Sequence, residues 1–544
     1  MIVVGVNAPP RGWHDSAACL VIDGTVVAFG EEERFTRRKH GTHQPPHRAV
    51  AHCLAEAGLA LDDVDVVAVG WGVETISTWQ GAKSRPFNAR TYASWVLGRS
   101  LSTPARPELV FVPHHLAHAT CGFFASPFES AAVLVVDGIG DDESVSIWAA
   151  RSDGALRPLR RWPPTASLGL LYDAACQAVG LGGLEGGKLM GLSAFGRHID
   201  GFAWPLVDFN ESDDYQLCLP VSLAPDADVD AVISAWRATF GMLADGMSVR
   251  ATRDALHLDS VAVRTAWSAQ HCVEQVVELL CSIARREAGS HALCLAGGVA
   301  LNCAANGRIS EPVYVPPLAH DAGVALGAAW HVCPPRGPRA PLSPYLGLRI
   351  PNQPGSSCVR DSAARWGPFD PNVVVERLLR GEVGGIVDGR AEVGPRALGH
   401  RSIVALPRPR TQQDKVNAMK GREPWRPFAP VASPAYSATL WEQRPHLHRY
   451  MLGASGVADS ASNVIAAAMH VDGTTRPQTL YSESGGTVVA LLDVLQRQGL
   501  PPVLLNTSFN GPGEPIVNDI EHAEIAFTTL GLDFLVVGEV MGGR

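Results

Sequence analysis

The stretch Ala131–Trp162 reads AAVLVVDGIGDDESVSIWAARSDGALRPLRRW. An apolar, β-branched run reaches Asp137-Gly138, a second run follows a small acidic turn, and a third follows Asp153-Gly154. Short apolar runs punctuated by Asp-Gly predict three strands joined by tight turns. The same grammar opens the chain: MIVVGVN (Met1–Asn7) is a strand, and AACLVIDGTVVAFGEEER (Ala17–Arg34) is a hairpin turning at Asp23-Gly24. Long helical segments follow each copy, such as TAWSAQHCVEQVVELLCSIARREA (Thr265–Ala288). A duplicated β-β-β unit with helices predicts two α/β subdomains and a cleft between them. Any α/β protein also contains hairpins of this kind, so the repeat alone leaves the simpler reading open.

The 544 residues are 46% hydrophobic and 18% charged, a globular balance with room for two or more full cores. CPPRGPRAPLSPYLG (Cys333–Gly347) is dense in proline and arginine and reads as a linker. It divides the chain into residues 1–340 and a separate domain, 341–544. The net charge of −9 argues against nucleic acid as a partner, so any anionic ligand must be met by local cations. Eleven cysteines lie scattered with no C-x-x-C pair, which fits reduced thiols in a cytoplasmic protein. MIVVGVNAPP has no basic leader region. No apolar run approaches the ~20 residues of a membrane span, so no membrane partner is expected.

His114 and His118, in HHLAHATCGFFAS, are spaced i, i+4 and share a helix face. Asp137 ends its strand, and Asp321, in VPPLAHDAGVALGAAW, stands at a helix start. Two imidazoles and two carboxylates suit Fe(II), Mn(II) or Zn(II). The competing reading is a buried helix whose histidines bond to backbone. CLAGGVALNCAANGRI offers Gly297, Gly298 and Asn302 at a strand-to-helix turn, where backbone can approach a phosphate or nucleoside. GGLEGGKLMGLSAFG places Glu185 and Lys188 in a glycine-rich loop, as ribose and phosphate contacts or as a plain turn.

Only five of the 45 basic residues are lysine: Lys39, Lys83, Lys188, Lys415 and Lys420. DGRAEVGPRALGHRS and KVNAMKGREPWRPFAP bring Arg390, Arg396, Arg401, Lys415, Lys420, Arg422 and Arg426 close together in glycine- and proline-broken loops. LLNTSFNGPGEP adds a polar strand end with Asn506, Ser508 and Asn510. Cationic loops beside a polar strand end predict a site for phosphate-bearing ligands.

In combination, HHLAHA, AGGVALN, HDAGVALGAA, GRAEVGPRALGHRS, KGREPWRPFAP and LLNTSFNGPGEPIV resemble the NodU-type O-carbamoyltransferases, which modify antibiotics and nodulation factors. HDSAACLVIDGTVVAFGEEERFTRRKHG (His14–Gly41) resembles the antibiotic-modifying members in particular. The resemblance implies an N-terminal Kae1-like domain, of the actin/Hsp70-type duplicated α/β class, and a C-terminal YrdC-like α/β domain. It implies that carbamoyl phosphate and ATP, with Mg, form carbamoyladenylate in the second domain, and that the carbamoyl group passes in the first to a hydroxyl of a small molecule, such as a glycosylated antibiotic. Carried over by motif, His114, His118, Asp137 and Asp321 hold a metal, with Fe(II) implied and Mn or Zn as alternatives. His14 acts catalytically as the base beside the acceptor. Arg396, Lys420, Arg426, Arg476, Asn506 and Ser508 hold carbamoyl phosphate and ATP. Glu74–Ser100 and Arg197–Arg250 match no motif and are expected to shape the acceptor pocket. A threonylcarbamoyl transferase acting on tRNA and a non-catalytic actin/Hsp70-type nucleotide-binding regulator are the alternatives. The oligomeric state is not expressed in the sequence.

Overall fold

The computed structural model describes residues 1–8, 14–79, 89–98, 107–210, 214–219, 223–224, 227–351, 365–482 and 485–543. Strands β1 (Ile2–Asn7), β2 (Ala17–Ile22), β3 (Thr25–Glu31), β4 (Val66–Val69) and β5 (Glu108–Phe111) form one sheet in the order β3-β2-β1-β4-β5. After helix α1 (His114–Phe124) come β6 (Ala131–Gly140), β7 (Glu143–Ala150), β8 (Leu156–Trp162), β9 (Leu293–Ala296) and β10 (Val313–Tyr314). Their order, β10-β9-β6-β7-β8, repeats the first sheet's topology: an antiparallel meander of three, then two parallel strands beside its first strand. The duplication read from the Asp-Gly grammar is therefore present in the fold.

Small residues set how closely the halves approach. Helix α2 (Ala322–Val332) packs on both β1 and α1. A Cβ on Gly5 would sit 2.0 Å from the Ala325 carbonyl oxygen, and one on Gly327 would sit 1.8 Å from that of Ala117. Helix Ser260–Ala288 has a clear start and stop. Asp259 caps it by accepting from the Val261 and Ala262 N–H groups, and Gly289 ends it at φ 63°.

The C-terminal sheet contains eight strands, all from Arg365 onward. Its centre pairs Gly384–Val387 with Arg401–Ala405, and that strand with Val503–Ser508. No described sheet mixes strands from the two sides of position 340. The two parts are nonetheless not separate bodies. One hydrophobic cluster of the N-terminal half takes in Trp425, Leu447, Tyr450 and Met451. The Ala454 N–H donates to the Cys303 carbonyl at 2.8 Å, and Arg444 Nη1 to that of Ile309 at 2.7 Å. The proline-rich segment is also no free linker: Arg339 lies 4.0 Å over the Phe123 ring and the Leu342 N–H bonds to Ala125 O.

Candidate active site

Helix α1 starts at His114 because Asp141 caps it. One carboxylate oxygen accepts the His114 N–H at 2.8 Å, and the other accepts from the Gly72 N–H and the Thr75 hydroxyl. The i, i+4 spacing then brings the Nε2 atoms of His114 and His118 to 3.1 Å. Strand β6 runs on to Gly140, but its regular pairing stops after Val136, which frees Asp137 to turn inward. Asp137 Oδ1 accepts from the Gly138 and Gly298 N–H groups, and Oδ2 faces His114 and His118 at 3.3 and 3.2 Å. Asp321, at the start of α2, puts Oδ1 at 3.8 and 3.6 Å from the same two rings.

These four buried side chains place their ligand atoms within 4.8 Å of one another. His114 Nδ1 lies 3.1 Å from the Gly70 carbonyl, so it must carry the hydrogen. In the neutral ring Nε2 then presents its lone pair to a second imidazole nitrogen and two carboxylates. Electron pairs converging on one point fit a cation, and a donor set of two imidazoles and two carboxylates fits a borderline divalent metal. Burial works against charging His114, yet the two carboxylates outweigh it and raise its pKa to about 10.

In front of this cluster lies a cavity of about 910 Å³ lined by residues of both parts of the chain. Asp137 and Asp321 form part of its wall, and His14, Glu185, Lys188, Gly298 and Asn302 line the same half. Arg396, Lys420, Arg426, Arg476, Asn506 and Ser508 line the other. Of the predicted residues, His114 and His118 sit behind the wall and Gly297 does not line it. Gly297 serves packing instead: it holds φ 92°, and a Cβ there would meet the Val136 carbonyl oxygen at 2.2 Å.

The cations of the sequence divide sharply. Arg390 donates to the carbonyls of Val27, Leu346 and Gly347, and fully buried Arg401 to those of Asp388, His400, Leu348 and Asn518. Lys415 bonds to Gly381 O at the surface. These three are structural. Lys188 lies 2.7 Å from both Glu185 and Glu423, across the boundary between the two parts. Burial opposes the charge on Glu423, but Lys188 and Arg426 hold its pKa down to about 2. Lys420 spends its donors on Ser508 O, Asn510 O and Asn510 Oδ1, so it ties down the strand end while it lines the cavity. Asn506 similarly donates to Gln478 Oε1 at 2.7 Å.

What remains available to a ligand is chiefly guanidinium. Burial and the neighbouring Arg476 depress Arg396 to about 9, and its buried Nε has no protein partner. Burial, Arg426 and Arg476 likewise press Arg422 well below its ordinary value, but Arg422 is already engaged: it donates to Pro427 O and Thr507 Oγ1 and lies over the Phe428 ring. Cations that crowd one another on a cavity wall fit a polyanion.

His14 lines the same cavity, with Nδ1 2.9 Å from Asp15 Oδ2. Burial disfavours its charge, but Asp15 prevails and raises its pKa to about 10. A pKa near the unperturbed value, expected of a simple base, is not what this geometry gives. Sequence reasoning passed over Asp15, His40 and Asp141. Their only local signal was Asp15 following a histidine, which reads as a surface turn.

The acceptor expectation fares differently. Of Glu74–Ser100, residues 74–76 and 91–98 do not line the cavity, and of the described residues of Arg197–Arg250 only Arg197 does. Residues 80–88, 99–100, 211–213, 220–222 and 225–226 lie outside the described residues. Among the described residues, no helix is long and apolar enough to cross a membrane.

The chain matches the family model described as Carbamoyltransferase N-terminus over residues 4–92 and 73–330. It matches that described as Carbamoyltransferase C-terminus over residues 375–544. It is 33% identical over 570 residues to nodulation protein NolNO of Sinorhizobium fredii, covering 98% of this chain and 80% of that one. It is 34% identical over 261 residues to a 3'-hydroxymethylcephem-O-carbamoyltransferase of Streptomyces clavuligerus, covering 45% and 47%. Full-length HypF in its phosphate- and nucleotide-bound form superimposes with a TM-score of 0.32 at 14% identity, over 60% of this chain and 54% of that one, too little to bear on the fold. Both halves of the family pattern are present in their proper order, and the chain belongs to the carbamoyltransferase family.

Proposed function

We propose that this protein is an ATP-dependent O-carbamoyltransferase. It makes carbamoyladenylate from carbamoyl phosphate, ATP and water, releasing phosphate and pyrophosphate, and transfers the carbamoyl group to a hydroxyl of a small molecule, releasing AMP. The observation that carries this reading is one cavity of about 910 Å³ whose wall holds Arg396 and Arg476 from the C-terminal part of the chain and Asp137 and Asp321, of the two-histidine, two-carboxylate cluster, from the N-terminal part. Carbamate is a poor electrophile until it is joined to a good leaving group. Adenylation provides one, and Arg396 and Arg476, on the wall of that cavity, would hold the phosphates while it happens. An adenylate formed there would share its cavity with Asp137, Asp321 and His14. A divalent metal held by His114, His118, Asp137 and Asp321 would neutralise charge on the departing AMP phosphate. His14 Nε2 takes the hydroxyl proton as the acceptor oxygen attacks the carbamoyl carbon.

The name of the cephem relative points to a hydroxymethyl group of a β-lactam as one acceptor class, and the motif resemblance to antibiotic-modifying enzymes adds glycosylated antibiotics. The test is pyrophosphate release from ATP that depends on carbamoyl phosphate, followed by a screen of aminoglycosides and 3'-hydroxymethylcephems for a mass gain of one carbamoyl group. Nucleotide binding without such release would favour the nucleotide-binding regulator.

A further inference from the structure

His14 is not alone on its carboxylate. Asp15 Oδ2 lies 2.9 Å from His14 Nδ1, and Asp15 Oδ1 lies 3.2 Å from His40 Nδ1. The two rings stand edge to face with centroids 6.4 Å apart, and all three residues line the cavity. Neither Nε2 has a protein hydrogen bond among the described residues, so both are left for the cavity.

The backbone is arranged to keep the carboxylate in this place. Asp15 adopts φ 61°, a left-handed conformation that costs a non-glycine residue energy and persists only where surroundings enforce it. Here the enforcement is visible. The Asp15 N–H donates to the His40 carbonyl at 2.6 Å, and Asn7 Nδ2 donates to the Asp15 carbonyl at 3.0 Å. Fully buried Trp71 in turn fixes Asn7 by donating to its Oδ1 at 2.8 Å. The same indole lies against the His114 ring, with centroids 3.8 Å apart. One rigid chain of contacts thus joins the metal cluster to the carboxylate between two imidazoles.

We propose that Asp15 is the positioning residue of the transfer step. Its two oxygens hold the Nδ1 atoms of His14 and His40, which fixes both rings with Nε2 toward the cavity. This rests on the carbamoyl-transfer reading for its chemistry. The acceptor's proton goes to His14 Nε2 as the new C–O bond forms and the bond to AMP breaks. Asp15 stays ionised throughout, accepting the hydrogens that remain on both Nδ1 atoms and so keeping the Nε2 lone pair on the reacting side. His40 fills the second oxygen, so the carboxylate cannot rotate away from His14.

Two measurements on the full chain test this with Asp15→Asn, Asp15→Glu and His40→Gln. The first is carbethoxylation by diethyl pyrocarbonate, read by mass spectrometry. Trypsin separates His14, on the peptide 12–34, from His40, on 40–48. In Asp15→Asn both rings lose their shared partner, and both should react at least several-fold faster than in the parent. Unchanged rates at both would overturn the proposed grip.

The second measurement separates adenylation from transfer, with water as the acceptor. First-turnover pyrophosphate release should stay near the parent's in every variant. AMP release should fall roughly 10²-fold or more in Asp15→Asn, recover in part in Asp15→Glu, and fall less in His40→Gln. AMP release at the parent rate in Asp15→Asn would refute the positioning role. If the parent releases no pyrophosphate in response to carbamoyl phosphate, the transfer reading fails instead, and carbethoxylation still decides whether Asp15 grips the two rings.

Discussion

Replacing Arg396 by methionine keeps an apolar stem of similar length and removes one of the crowded positive charges. Burial and Arg476 lower its pKa from 12.5 to about 9. At ~1.4 kcal/mol per pH unit this is a penalty of ~5 kcal/mol on the charged form. Solvent in the cavity and relaxation of the side chain reduce what folding recovers to about 1–3 kcal/mol. Arg396→Met should therefore stabilise the ligand-free protein and raise its Tm. The same change should cost carbamoyl phosphate a charge-assisted contact worth ~2–5 kcal/mol, weakening binding about 30-fold or more. Scanning calorimetry without ligand and titration calorimetry with carbamoyl phosphate give the two numbers. A variant less stable than the parent, or one that binds carbamoyl phosphate as tightly, would refute the view that Arg396 is held under-paired for an anion.

His118→Ala should lose bound divalent metal and transfer activity with its circular dichroism intact; full occupancy by elemental analysis would dismiss the four-residue cluster as a metal site. The rate of the transfer step should climb with pH above the unperturbed histidine value of 6.5 toward about 10, because His14 works as a base only once deprotonated and Asp15, Asp137 and Asp321 all favour its proton. A bound cation offsets the last two and brings the limb down between those limits; a plateau from pH 6.5 would exclude His14 as the base. Gly297→Ala meets the Val136 carbonyl and a left-handed backbone together, so it should destabilise the N-terminal half by more than ~1 kcal/mol; urea denaturation that matches the parent would contradict this packing role. Lys420→Met should lower stability by loosening the Ser508–Asn510 strand end as well as impairing adenylation, and a purely kinetic effect would restore it to the role of a free phosphate ligand.

The duplicated halves were legible because their signals are local. Strand alternation and Asp-Gly turns at 23–24 and 153–154 act within a few residues of themselves, and so does the i, i+4 stacking of His114 and His118. Asp321 was legible as a carboxylate at a helix start, and the family motifs assigned it with His114, His118 and Asp137 as metal ligands. The sequence could not say which cations are free, because Arg390, Arg401 and Lys420 look like Arg396 until the carbonyls they bind are in place. Nor could it join the two predicted sites into one cavity, or turn Asp15 toward two histidines rather than toward solvent. Pairing and burial depend on neighbours brought together only by packing of the whole chain. Element type follows from short-range periodicity, whereas the charge state and availability of a side chain are properties of the folded surroundings.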